Sequence, residues 1–146
     1  MSVLAQLAPF GLEGKVVTDL RFYGNTLYAS TDGNGVFKCS LPDTLWTPLG
    51  LEGKNIRTVY PHQVGPVDFA VTVGVKPDRL AGDSALVYCW FNDGWNITDS
   101  GLNHLDTWEI RSIDGIPTPQ ICGETFAGGS GSVFRKKTEF WEKVFE

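Results

Sequence analysis

Five residues, Gly11-Leu12-Glu13-Gly14-Lys15, recur unchanged 39 residues on as Gly50-Leu51-Glu52-Gly53-Lys54. A weaker third copy stands at Gly101-Leu102-Asn103-His104. Repetition at a period of tens of residues means one supersecondary unit used several times, each burying its face on the next. After each copy comes a short alternating segment: Val17-Thr18-Asp19-Leu20, Ile56-Arg57-Thr58-Val59 and Ile110-Arg111-Ser112-Ile113. Each unit then reaches a strand-like run with an aromatic (Val36-Phe37-Lys38-Cys39, Val87-Tyr88-Cys89, Val133-Phe134-Arg135-Lys136) and ends near Trp46, Trp95 or Trp141. The tryptophans are 49 and 46 residues apart. A unit of that length holds four short strands, the size of one β-propeller blade.

The rest of the composition fits an all-β chain. Its 17 glycines and 8 prolines are scattered so that no stretch stays free of breakers long enough for a long helix. Asp32-Gly33-Asn34 between two apolar runs reads as a hairpin turn. Gly128 to Ser132 reads as a second hairpin turn. The expected units are 11–50, 51–101 and 102–146 of a single domain spanning 1–146. Residues 1–10 parallel the end of the first unit, so they are expected to be an orphan outer strand. The polar stretch Val75 to Ser84 is expected to be an extended hairpin loop in the middle unit.

The run Tyr28-Ala29-Ser30-Thr31-Asp32-Gly33-Asn34-Gly35-Val36-Phe37-Lys38, followed by Trp46-Thr47-Pro48-Leu49, resembles the Asp-box β-propeller superfamily. That group includes bacterial neuraminidase repeats, sortilin-type propellers and photosystem II assembly factor-like proteins. The Asp box itself is degenerate here: Ser40 to Trp46 loses the glycine, Asp93-Gly94-Trp95 shortens the spacing, and Lys137 to Trp141 keeps only the aromatic. The resemblance implies that Trp46, Trp95 and Trp141 wedge between blades. It implies no catalytic residue, since no surrounding sialidase motif matches and fold alone carries no function.

Three blades form an open arc, because propellers close with about 4–8. Each bare end would expose about 400 Å² of apolar surface. At about 25 cal/mol/Å² that forgoes on the order of 10 kcal/mol per face. The expected partner is therefore a second copy of the chain, two arcs closing a six-bladed ring by a two-fold axis; a longer single-chain propeller is the rival history.

The net charge of −5 opposes binding to nucleic acid and to anionic membranes. No apolar run reaches the length of a membrane span, and Met1 to Pro9 lacks the basic residues and the apolar length of a secretory leader. Cys39, Cys89 and Cys122 are widely spaced and odd in number, which favours buried thiols in a reducing, cytoplasmic compartment.

Chemistry is sparse in the sequence. No zinc, phosphate-loop or nucleophile-elbow motif occurs, so no cofactor, metal or catalytic residue is expected. Asp32 and Asn34 supply too few oxygens for calcium. His62 and His104 are expected in loops. Arg57 and Arg111 hold equivalent places in the innermost strands, where blade one has Thr18. With Asp19 and Tyr60 they form the candidate channel set, either binding an anion through bidentate contacts or pairing with Asp106, Glu109 or Asp114. The expected function is a non-enzymatic interaction module for a glycan or protein ligand. A sialidase-like glycoside hydrolase and a lectin-type propeller are the alternatives.

Overall fold

The structure, a computed structural model, describes residues 10–64, 68–116, 125–137 and 140–145. These form twelve strands in three antiparallel sheets, each of four strands in chain order. Sheet 1 holds β1 (Val17–Tyr23), β2 (Thr26–Thr31), β3 (Gly35–Ser40) and β4 (Thr47–Gly50). Sheet 2 holds β5 (Asn55–Val64), β6 (Asp68–Lys76), β7 (Val87–Phe91) and β8 (Gly94–Ile97). Sheet 3 holds β9 (Ile110–Gly115), β10 (Thr125–Gly129), β11 (Val133–Lys137) and β12 (Phe140–Phe145). The described residues contain no α-helix, and no helix is long and apolar enough to cross a membrane. Most of the expected orphan strand, 1–9, and Cys122 lie outside the described residues.

The repeated pentapeptide folds the same way twice. Leu12 and Leu51 both take φ 59°, a left-handed conformation costly for a side chain with a Cβ. Lys15 N donates to Leu12 O and Lys54 N to Leu51 O, each at 3.1 Å. The same residues therefore accept the same local cost to start each of the first two sheets. The expected extended hairpin loop lies at 77–86, between the antiparallel strands β6 and β7, and starts two residues later than expected. Strand β6 continues through Lys76, because Val75 N bonds Leu86 O. A short 3₁₀ turn at Arg79–Ala81 follows, capped by the Asp78 carboxylate on Leu80 N and Ala81 N.

The sheets stack through their first strands. Strand β5 packs on β1 and β2 to one side and on β9 to the other. One core cluster joins Tyr28 and Val36 of sheet 1 to Ile56, Val59, Val71, Val73 and Val75 of sheet 2. A second joins Leu86 and Val87 to Ile110, Ile113, Ala127, Phe134 and Trp141. The two clusters fall on opposite faces of sheet 2, as the alternation of strand side chains requires.

The tryptophans expected between units each reach back about one repeat to a backbone carbonyl. Trp46 Nε1 donates to Phe10 O (2.6 Å), Trp95 Nε1 to Leu49 O (2.9 Å) and Trp141 Nε1 to Thr98 O (2.8 Å). Leu49 ends sheet 1 and Trp95 ends sheet 2, so this bond ties neighbouring outer edges together. Gly50, at φ 121°, makes room for it: a Cβ there would lie 2.8 Å from Trp95 Nε1.

Candidate functional site

Each first strand carries a β-bulge at the same place. The register shifts between Val17 and Asp19 in β1, between Ile56 and Thr58 in β5, and across Ile110 to Ser112 in β9. The extra residues are Thr18, Arg57 and Arg111. A bulge leaves one residue out of the ladder and re-aims its side chain. Here all three side chains line one open depression of about 480 Å³, together with Lys76 and Glu109.

Glu109 is the anchor of this depression. Its side chain is 7% exposed, and Arg111 grips Oε1 through Nε at 2.6 Å and Nη2 at 2.5 Å. Arg57 Nε lies 3.4 Å from Glu109 Oε2, outside hydrogen-bonding geometry, and is buried without a hydrogen-bond partner among the described residues. Arg57 Nη1 lies 3.6 Å from Asp32 Oδ2. Thr18 Oγ1 donates to Ile56 O and contacts Ser30 Oγ, both at 2.8 Å. Of the acids expected to pair with the arginines, Glu109 takes both. Asp106 instead accepts from Lys143 at 2.7 Å, and Asp114 accepts from Gly115 N. Asp32 faces an arginine, and no group of three His, Cys, Asp or Glu able to hold a metal occurs among the described residues.

Asp19 and Tyr60 stand apart from the arginines. Asp19 Oδ2 accepts from Thr58 Oγ1 (2.9 Å) and Val59 N (3.1 Å), so its carboxylate stitches β1 to β5. Its Oδ1 accepts from Leu20 N and faces Arg21 Nε at 3.4 Å. Tyr60 stacks on His62, ring centroids 4.8 Å apart, and packs against the second core cluster. Burial and the nearby Asp114 push its phenol pKa up, against the pull of Arg21, so the hydroxyl stays protonated near neutral pH.

The histidine expected in a loop is in a strand. His62 lies within β5, and its ring faces a cleft of about 320 Å³ between sheets 2 and 3. Nε2 pairs with Thr72 Oγ1 at 2.9 Å. Burial lowers its pKa from 6.5 to about 4, opposed by a hydrogen bond from the ring to the Gln63 backbone, with Lys136 adding to the lowering. The imidazole is therefore neutral at physiological pH. Cys89 lines the same cleft, and burial raises its pKa, so it stays a thiol. His104 is exposed outside the strands, as expected. A sequence signal for the cleft does exist: from Ala70 to Val75, β6 alternates small residues with valines, and the small ones face sheet 3.

No protein-family model, no curated protein and no solved structure matches the chain.

Proposed function

We propose that the chain is half of a six-bladed β-propeller of the Asp-box type, that two copies close it, and that the ring is a non-enzymatic binding module. Its ligand is an acidic glycan or protein carboxylate held at Arg57 and Arg111. One observation carries this reading: three first strands bulged at one shared position, two of them presenting arginines to one depression. Arg57 Nε is buried with no hydrogen-bond partner among the described residues, its one charged neighbour there being Glu109 Oε2 at 3.4 Å.

Closure draws support from the two ends of the stack. On β1, Val17, Leu20 and Phe22 are exposed, Phe22 at 62%. On the far side Phe140 of β12 is equally exposed, and Ile116 past β9 is also open. An apolar row at each end of a stacked arc suits head-to-tail pairing across a two-fold axis. The hydrolase alternative lacks support from the residues it needs: Tyr60 is protonated and turned to His62, and Asp19 is committed to β5.

Light scattering tests the assembly. The wild-type chain should run at twice its protomer mass at micromolar concentration, and Phe22→Glu should run as a monomer. A wild-type monomer overturns closure. Calorimetry with sialyllactose against lactose tests the ligand. Arg57→Gln should weaken sialyllactose binding about tenfold or more and leave lactose unchanged. Release of the fluorophore from a fluorogenic sialoside would replace this reading with the hydrolase.

A further inference from the structure

The cleft between sheets 2 and 3 is a separate site within one protomer. Its walls are two facing rows of side chains. On sheet 2, Thr72, Cys89 and Asn96 stand in register across β6, β7 and β8, with His62 bonded to Thr72 from β5. On sheet 3, Thr125, Lys136 and Trp141 stand in register across β10, β11 and β12. The void exists because β6 turns Ala70 and Thr72 toward sheet 3 where larger side chains would fill it.

The charge pattern of the lining is one-sided. Lys136 is the single charged side chain among the described residues that line it. It makes no ion pair among the described residues, and its Nζ sits 5.8 Å from the Trp141 ring centroid. The other polar groups are neutral, including His62 and Cys89 for the reasons given above. Thr98 Oγ1, on the same wall, is buried with no hydrogen-bond partner among the described residues. Trp141 touches both ends of this arrangement, its face under Lys136 and its N–H on Thr98 O. A mostly apolar cavity of this volume with one convergent cation is the form of a small-molecule site.

We propose that this cleft binds a small apolar monocarboxylate of the medium-chain fatty-acid kind. Its carboxylate meets Lys136 Nζ, and its apolar body lies against Val64, Ala70, Phe91 and Trp141. A dicarboxylate would leave its second charge desolvated and unpaired, and an amine would face Lys136 with like charge. Nothing in this site depends on ring closure or on the arginines, so it stands or falls separately from the reading above.

The test is an ¹H–¹⁵N NMR titration of the full chain with octanoate, 1-octanol and octylammonium. Octanoate should give saturable shifts at the amides of His62, Thr72, Cys89 and Lys136 and at the Trp141 indole. It should bind about tenfold tighter than octanol, the effect of one partly desolvated charge pair. Octylammonium should bind more weakly than either. Lys136→Met should equalise octanoate and octanol, and Lys136→Arg should keep the preference. The proposal is overturned if octanoate shifts do not saturate, or if they centre on Arg57 and Arg111. It is equally overturned if octylammonium matches octanoate, or if the preference survives in Lys136→Met. Should Lys136→Met fail to fold, Lys136→Gln makes the same comparison.

Discussion

Toward sheet 1, strand β6 projects Val71, Val73 and Val75; toward sheet 3, the same strand projects Ala70, Thr72 and Gly74. The valines close on Tyr28 and Val36 and are fully buried. On the other face Gly74 is in tight contact: a Cβ there would fall 2.5 Å from Ile110 Cγ2. Beyond it the sheets part, and a cleft opens whose lining includes His62, Thr72 and Cys89. The same architecture thus makes one interface for packing and one with space for chemistry, and the difference is a few methyl groups on alternate residues. Interiors packed to native density have no tolerance for that difference, so the missing volume appears as a cavity.

The tryptophan latches offer the largest effects. Trp141 is 3% exposed and Trp95 is half-buried, although both bond a carbonyl of the preceding unit. Trp141→Ala should cost about 3–5 kcal/mol in urea denaturation, with Trp95→Ala the smaller loss. An equal loss at both sites would mean that the hydrogen bond, not ring burial, dominates each latch.

The pH dependence separates the two interfaces next. His62 has its folded-state pKa lowered, so below about pH 6.5 the unfolded chain takes up a proton that the folded chain refuses. This contribution to stability is present above pH 6.5 and is lost as pH falls towards 4, by on the order of 3 kcal/mol. His62→Gln should flatten that part of the stability profile measured by urea melts between pH 7 and 4. A profile unchanged by the substitution would show that the ring is more hydrated than the cleft suggests.

Volume changes sharpen the contrast further. Val73→Ala on the dry face should cost about 2 kcal/mol. Ala70→Val on the cleft face should fall within about 0.5 kcal/mol of neutral, because the added methyls enter existing space. A large loss for Ala70→Val would mean that the cleft is narrower than its lining indicates. Arg111→Gln should also have a small effect: its side chain is 62% exposed and Arg57 still faces Glu109, so the substitution should cost under about 1 kcal/mol in thermal melts.

Much of the architecture was legible in the chain. The recurrent Gly-Leu-Glu-Gly-Lys marks the turns before β1 and β5, and Asp32-Gly33-Asn34 marks the β2–β3 hairpin. Equivalence of Thr18, Arg57 and Arg111 was also readable, because each follows its turn at a similar distance. The chemistry around them was not. Glu109 lies two residues from Arg111 but 52 from Arg57, and only the stacking of β5 on β9 makes it their shared partner. Asp19 looked like a channel residue until the 2.9 Å contact with Thr58 committed it to a neighbouring strand. His62, expected in a loop, lies within β5 and reaches the cleft only through the pairing of β5 with β6.

Local rules act over a few residues: which glycine permits a left-handed turn, which alternation makes a strand, which interval returns a tryptophan. The sequence alone determined those, and with them an all-β chain of repeated four-strand units. Which carboxylate meets which guanidinium, and where volume is missing, depends on registers between strands tens of residues apart. Those registers are set when whole faces bury together, so the shared anchor at Glu109 and the cleft at His62 were decided only by the tertiary structure.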